Sequence, residues 1–170
     1  KIKRIDHVME IFKNIHDALP AKLLMVGDGP ERPLAEDLTR QYGLDGDVRF
    51  LGKQEQMDEI LSISDLFLLT SSYESFGLSA LEAMSCGVPV ISTNAGGLGE
   101  INVHGFTGYL SNVGDVEDMA KHAISILENE TVLNQFKNQA KEHAMKFEKQ
   151  FIIPQYEQLY NEVVQSYKKA

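Results

Sequence analysis

A short polar turn and the helix that follows it hold the residues of this sequence best suited to binding an anion. The turn runs from Thr70 to Gly77, comes directly after an apolar segment, and contains three serines and a glutamate. A helical pattern begins at Leu78. The free backbone N–H groups of a helix N-terminus and the positive end of its dipole favour a phosphate, and Gly77 lets such a ligand approach the backbone closely. The segment therefore predicts a phosphate-binding site.

Two carboxylates, Glu74 and Glu82, lie eight residues apart around this site. The helix at 78–86 stands between two apolar segments, so we expect it to be largely buried, and a buried unpaired charge costs several kcal/mol. Glu82 lies about 6 Å along the helix from its start, where its carboxylate could accept hydrogen bonds from two adjacent ribose hydroxyls. Glu74, in the turn, would face the group that the diphosphate carries.

A purely structural explanation of both carboxylates is equally open at this point. Glu82 could lie at the edge of its helix and pair with a lysine or a backbone amide, and Glu74 could be a solvated turn residue. Their spacing alone does not decide between the two explanations.

The elements that must position this turn alternate between strands and helices. Short apolar runs predict strands at 23–26, 48–52, 66–69, 88–91 and 108–110. The spacing of apolar residues predicts helices at 5–19, 34–42, 57–63, 78–86, 116–128, 132–147 and 153–167. Apolar strands of this kind are typical of a parallel sheet covered by helices on both faces. We therefore expect an α/β fold with a Rossmann-like sheet that binds its ligand beyond the carboxyl ends of its strands.

Composition and charge exclude several classes of function. The chain has 170 residues, with 16 Lys and Arg against 25 Asp and Glu and a formal net charge of −9, whereas a nucleic-acid partner requires a basic face. No apolar run approaches the roughly 20 residues that span a bilayer, so we expect neither a membrane span nor a signal peptide. The lone cysteine, Cys86, fits a reducing compartment, so we expect a cytoplasmic protein. The sequence lacks the clustered Asp or His of a magnesium or zinc site, so no metal or other cofactor is expected.

Several motifs in order along the chain resemble one enzyme family. Residues 74–84, followed by 86–91, are similar to the E-x7-E motif of the retaining glycosyltransferases of family GT4. The segments that also look like the C-terminal half of those enzymes are 27–31, 48–52, 64–65, 96–100 and 105–108. Together these motifs cover essentially the whole chain, and the ordered set is far more specific than any single motif.

This resemblance implies a two-domain enzyme of the GT-B fold, in which residues 1–170 form a single domain that binds the sugar-nucleotide donor. Glu74 would contact the hydroxyls of the donor sugar, and Glu82 would bind the ribose. Lys3 matches the family's lysine that neutralises the diphosphate, and Lys3 and Glu74 are the residues expected to act in catalysis. The other donor-binding positions are Gly27 in a wall of the cleft, Lys53 beside the base, and Ser75, Phe76, Gly77 and Leu78, whose loop amides would hold the diphosphate.

The same resemblance implies that parts of the enzyme are absent from this chain. The acceptor-binding domain and a further arginine would precede Lys1, and so would the first strand of the sheet, which lies centrally in such folds. We therefore expect either a gap between the strands at Leu23 and Leu66 or another segment that fills it. The terminal helix, at 152–168, carries an apolar stripe and would cross to the missing domain, so part of that stripe should be exposed.

A narrower likeness concerns the donor and the acceptor. The segments 50–54, 62–65 and 105–116 resemble one branch of the family, the bacillithiol-pathway enzymes that transfer N-acetylglucosamine from UDP to L-malate. They imply UDP-N-acetylglucosamine as the donor, L-malate as the acceptor, and chemistry without a metal. The alternatives are a sugar-nucleotide epimerase of the same fold, which the spacing of Glu74 and Glu82 disfavours, and a nucleotide-binding module without catalysis. The sequence leaves the oligomeric state open.

Overall fold

Strands and helices alternate along most of the chain. The computed structural model describes residues 2–169, with side chains through residue 167. The elements are α1 (Ile5–Ala18), β1 (Leu23–Val26), α2 (Arg32–Gln41), β2 (Val48–Gly52), α3 (Met57–Ser62), β3 (Phe67–Leu69), α4 (Leu78–Ser85), β4 (Val90–Thr93), α5 (Leu98–Ile101), β5 (Gly108–Ser111), α6 (Val116–Leu127), α7 (Glu130–Met145) and α8 (Lys149–Lys169). The predicted α/β class and the predicted strands are confirmed, with boundaries that differ by a few residues.

All strand pairs of the described residues are parallel, as the apolar strands predicted. β1 pairs with β2, with Leu23 opposite Val48. β4 lies between β3 and β5, so that the second sheet has the order β3-β4-β5. The carboxyl ends of parallel strands lie at one edge of their sheet, and the loops that follow them meet there.

Within residues 2–169 no strand pairing joins β1 to β3, which agrees with the gap expected between these two strands. Helix α1 joins the two sheets instead. Its residues Met9 and Phe12 pack in one core cluster with Val48 of β2. Ile11 and Ile15 pack in a second core cluster with Ile91 of β4. The apolar stripe of α1 therefore serves both sheets and makes them one body.

One strand boundary and one additional helix differ from the sequence prediction for physical reasons. The fourth strand begins at Val90 rather than at position 88, because the Val88 N–H donates to the Ala83 carbonyl and closes the end of α4, and Pro89 has no N–H to give to a sheet. The residues around Gly99 were expected to form a turn only, and they form the single helical turn α5. A helix this short gains its stability from tertiary packing, here from the fully buried Leu98 and Ile101.

None of the helices described between residues 2 and 169 combines the length and the apolar character needed to cross a bilayer. The terminal helix α8 begins at Lys149, earlier than predicted, and its apolar side chains are exposed, as the expected stripe requires. The exposed members are Tyr156, Leu159, Tyr160, Val163, Val164 and Tyr167.

Candidate functional site

The loop after β3 carries Glu74, and the glycine turn before α5 holds the backbone of that loop. The Gly97 N–H donates to the Glu74 carbonyl at 3.1 Å. A Cβ atom at Gly96 would lie 1.9 Å from the same carbonyl oxygen, and one at Gly97 would lie 2.4 Å from the Ser75 oxygen. Only glycine permits so close an approach, so this turn fixes where Glu74 can lie.

Gly77 forms the boundary between that loop and helix α4. Its φ angle of +92° is in the left-handed region, and a Cβ there would lie 2.6 Å from the Leu98 side chain. The described residues supply no acceptor for the backbone N–H groups of Phe76, Gly77 and Leu78. Free N–H groups at the start of a helix are the arrangement that binds an anion, and the side chains of Phe76 and Leu78 leave this end open, at 41% and 60% exposure.

Lys3 faces Glu74 across this loop. Its Nζ lies 2.7 Å from the Glu74 carboxylate, which also accepts a longer hydrogen bond from Ser71 at 3.5 Å. The side chain of Glu74 is 16% exposed, whereas that of Lys3 is 56% exposed. The Thr70 hydroxyl donates to the Lys3 carbonyl at 2.7 Å and holds the lysine backbone at the end of β3. A Cβ at Gly77 would lie 3.8 Å from the Glu74 Cγ, so among the described residues a cation, a carboxylate and the open amides lie in one site.

Thr70 and Ser71 have site contacts that the sequence analysis did not assign. Both are buried at the carboxyl end of β3, and the Ser71 carbonyl accepts a hydrogen bond from the Thr93 hydroxyl at 2.6 Å. The signal available in the sequence was a pair of hydroxyl residues directly after an apolar strand. Such residues are buried at the strand end, and a buried hydroxyl needs a hydrogen-bond partner.

Glu82 is exposed, so the expectation that its carboxylate is buried was wrong. Helix α4 buries Ala80, Ala83 and Met84 on its inner face, and Glu82 lies one turn beyond Leu78 on the outer face. The described residues give its carboxylate neither an ion pair nor a hydrogen bond, so pairing with a lysine does not account for it either. Burial therefore gives no reason to expect a ligand at Glu82. The remaining observation is that its carboxylate has no partner and lies about 6 Å along the helix from the open amides.

Gly27 and Lys53 follow β1 and β2 and lie at the carboxyl ends of the first sheet. The Gly27 N–H donates to the Gly52 carbonyl at 2.7 Å, so that the two strand ends are tied together. Gly27 has a φ of +110°, and Lys53 is exposed and has no ion pair within the described part of the chain. Gly27 and Lys53 follow strands of the first sheet and Glu74 follows a strand of the second sheet, but all three lie at the carboxyl ends of parallel strands.

No group of three or more His, Cys, Asp or Glu within residues 2–169 is arranged to hold a metal ion. The charges at the site are those of Lys3 and Glu74, supported by the N-terminal dipole of α4. What this arrangement can do is bind an anion at the amides and offer a carboxylate beside it.

Comparisons with known proteins relate this chain to glycosyl transferases. The family model described as "Glycosyl transferases group 1" matches residues 1–143. The N-acetyl-alpha-D-glucosaminyl L-malate synthase of Bacillus anthracis is 43% identical over 171 residues, which cover 100% of this chain and 45% of that protein. The 2-deoxystreptamine N-acetyl-D-glucosaminyltransferase of Niallia circulans is 36% identical, over 82% of this chain and 37% of that protein.

Solved structures show the same fold. A crystal structure of a TarM mutant of S. aureus, in complex with Fondaparinux, alpha-GlcNAc-glycerol and UDP, has a TM-score of 0.87 at 25% identity and covers 95% of this chain and 33% of that one. Anabaena Alr3699/HepE in complex with UDP and glucose has a TM-score of 0.79 at 25% identity, over 97% of this chain and 45% of that one. The chain spans less than half the length of these relatives.

Proposed function

The chain belongs to the group 1 family of glycosyl transferases, and on this premise we propose that it binds the UDP-sugar donor, with N-acetylglucosamine as the sugar and L-malate as the acceptor of the complete reaction. The observation that carries the proposal is the position of the Lys3 and Glu74 pair beside the open N-terminus of α4. A diphosphate needs the cation and the amides, and a sugar attached to it needs the carboxylate.

The amides of Phe76, Gly77 and Leu78 would hold the diphosphate, with Ser75 next to them in the same loop. When the bond between the sugar and the phosphate breaks, positive charge develops on the sugar and negative charge on the departing UDP. Lys3 and the N-terminus of α4 would stabilise the departing diphosphate, because fixed donors and dipoles act most strongly where charge develops. This chemistry requires no metal ion.

Glu74 would accept hydrogen bonds from the hydroxyls of the donor sugar. The support for this role is its restricted position: its backbone is fixed by the glycine turn before α5, and its side chain is mostly buried beside Lys3. A carboxylate held in this way can orient a sugar without having to be ordered when the donor binds.

The nucleoside would extend from the diphosphate towards Glu82 on one side and towards the ends of β1 and β2 on the other. Glu82 has no partner among the described residues, so its carboxylate is available to the two ribose hydroxyls. Gly27 and the main chain at Lys53 would bound the pocket of the base. These assignments follow the family resemblance, and the open positions of the residues support them.

We infer further that this chain is the donor domain of a larger, cytoplasmic enzyme whose acceptor domain is supplied by another part of the protein. The relatives of this chain are more than twice its length, and the apolar side chains of α8 are exposed. The helix at 152–168 would cross to that other domain and bury its stripe there.

Titration calorimetry of the chain with UDP and with UDP-N-acetylglucosamine tests the donor-binding proposal. We expect both to bind, and we expect Mg²⁺ or a chelator to leave the affinity unchanged. Absence of binding to either nucleotide would contradict the proposal. The protein that carries the acceptor domain is then incubated with UDP-N-acetylglucosamine and L-malate, and the product distinguishes the candidate functions. A transferase forms N-acetylglucosaminyl malate, an epimerase forms an isomeric sugar nucleotide, and a binding module forms no product.

A further inference from the structure

A buried asparagine at the end of α5 makes a network of hydrogen bonds that the sequence analysis did not anticipate. The side chain of Asn102 is fully buried. Its Nδ2 lies 3.0 Å from the Val90 carbonyl, 2.9 Å from the Ser92 hydroxyl and 3.1 Å from the Tyr109 carbonyl. Its Oδ1 accepts a hydrogen bond from the Thr107 hydroxyl at 2.9 Å. The amide therefore shares its two hydrogens among three oxygens and has its acceptor occupied as well.

This network ties α5 to the sheet. Val90 and Ser92 belong to β4, and Tyr109 belongs to β5, so one side chain bridges two strands. The Asn102 backbone N–H donates to the Leu98 carbonyl at 2.8 Å and closes the helical turn. A four-residue helix has almost no stability of its own, so the position of α5 depends on this anchor and on the packing of its buried side chains.

The position of α5 in turn sets the position of the loop with Glu74. At the start of α5, the Gly97 N–H donates to the Glu74 carbonyl. The Leu98 side chain occupies the space where a Cβ of Gly77 would lie. A continuous set of contacts thus leads from Asn102, through a single turn of helix, to the backbone of Glu74 and to Gly77 at the start of α4.

We propose that Asn102 is a positioning residue for Glu74 and thereby determines how strongly the sugar of the donor is bound. The proposal rests on the proposed function, in which Glu74 contacts that sugar. Asn102 itself touches neither the sugar nor the reacting atoms. Its loss would let α5 shift against β4 and β5, so that the Glu74 loop loses its fixed position, while the ribose and base contacts at Glu82 and Lys53 stay in place.

Asn102→Ala removes the anchor, and Thr107→Val weakens it more mildly by removing the hydroxyl that donates to Asn102. Thr107→Ser keeps that hydroxyl and is the conservative variant expected to restore the wild-type behaviour. Thr39→Val is the matched control, because the Thr39 hydroxyl is also buried and donates to the Ala35 carbonyl at 2.8 Å, but within α2 and away from α5.

Two measurements separate positioning from a general loss of stability. The first is the ratio of the dissociation constants for UDP and UDP-N-acetylglucosamine, which isolates the sugar contact. We expect Asn102→Ala to weaken the binding of UDP-N-acetylglucosamine about tenfold relative to the binding of UDP, and Thr107→Val to shift the ratio in the same direction. The second is hydrogen exchange of the Gly97 amide. Its exchange rate should rise by about tenfold or more relative to the amides of β1 and β2, while Thr39→Val should change neither quantity.

A uniform rise in exchange across the whole chain, with an unchanged ratio of dissociation constants, would overturn the proposal and leave Asn102 as a structural residue. Should Asn102→Ala fail to fold, the same two measurements on Thr107→Val and Thr107→Ser decide the matter. The failure of the proposed function has a different signature, since the unsubstituted chain would then not bind UDP at all.

Discussion

The ammonium group of Lys3 lies 2.7 Å from the Glu74 carboxylate, although 71 positions separate the two residues in the sequence. Without a bound donor, each charge neutralises the other. A diphosphate at the N-terminus of α4 would attract the ammonium group and leave the carboxylate free to meet the sugar. The pair therefore connects the phosphate-binding and sugar-binding parts of the proposed site.

Replacement of Lys3 tests the phosphate part. We expect Lys3→Met to weaken UDP binding by about tenfold or more, because the diphosphate loses a charge-assisted hydrogen bond, and to weaken UMP binding less. The free energy of unfolding should change by less than about 1 kcal/mol, since Lys3 is more than half exposed and such pairs stabilise little. Calorimetry and urea unfolding measure both effects. Lys13→Met, which removes the exposed Lys13–Asp17 pair, is the control and should leave UDP binding unchanged.

Glu82 tests the ribose contact. Because its carboxylate is exposed and has no partner among the described residues, Glu82→Ala should change the free energy of unfolding by no more than about 0.5 kcal/mol. Its affinity for UDP should nevertheless fall about tenfold, the effect of losing hydrogen bonds to a charged group. Glu142→Ala, at an exposed glutamate of α7, is the matched control.

The ribose assignment also predicts how this variant treats a modified nucleotide. The unsubstituted chain should bind 2′-deoxy-UDP more weakly than UDP, and Glu82→Ala should bind the two nearly equally. If the substitution weakens UDP and 2′-deoxy-UDP by the same factor, Glu82 does not contact the ribose hydroxyls.

Gly96 tests the support of the Glu74 loop. Gly96→Ala would place a Cβ 1.9 Å from the Glu74 carbonyl oxygen at a φ of +56°, so we expect it to lower the free energy of unfolding by at least about 2 kcal/mol and to abolish binding of the sugar nucleotide. Gly99→Ala, three residues along the chain, meets no atom within 4 Å and lies in α5, so it should be neutral or stabilise by up to about 1 kcal/mol. If the two substitutions lower the free energy of unfolding equally, the close approach of Gly96 to the Glu74 carbonyl does not support the loop.

Much of this arrangement could be predicted from the sequence, because the signals for it are local. Apolar runs located the parallel strands, and the turn after β3 was assigned from its serines, Glu74 and Gly77. The exposure of Glu82 was missed because an apolar helix does not reveal which of its faces is covered. The helical turn α5 was missed because its glycines favour a turn, and only contacts with β4 and β5 make it helical. The contacts of Asn102 were missed although β4 and β5 lie only 7 to 12 positions from it, because they depend on how these two strands pair and no apolar periodicity indicates that.

His143 gives the stability of the chain a predictable pH dependence. Burial lowers the pKa of His143 from its ordinary value of 6.5, the nearby Lys146 lowers it further, and a hydrogen bond to the backbone of Ile101 opposes both effects. The unfolded chain therefore takes up a proton on this group at a higher pH than the folded chain does. The stability that the uncharged His143 contributes is fully present above pH 6.5 and is lost as the pH falls from 6.5 through the pKa of the folded chain.

Urea unfolding at pH 7.5 and pH 5.0 measures this loss. We expect His143→Gln to lose less stability than the unsubstituted chain over this interval, whatever its stability at pH 7.5. His122→Gln should behave in the same way, because burial also lowers the pKa of His122. Parallel stability curves for the variants and the unsubstituted chain would show that neither imidazole carries the effect.

The stripe on α8 tests whether this helix packs against another domain. Leu159 and Val163 are 52% and 47% exposed in this chain, so Leu159→Ser should change the unfolding of the chain by no more than about 0.5 kcal/mol. In the protein that carries the acceptor domain, the same substitution should lower the melting temperature and the turnover, because the leucine would be buried there and its loss costs about 2 kcal/mol or more. Glu157→Ser, on the same helix, should have little effect in either protein. If Leu159→Ser leaves the longer protein as stable and active as before, α8 does not cross to the other domain, and the stripe needs another partner.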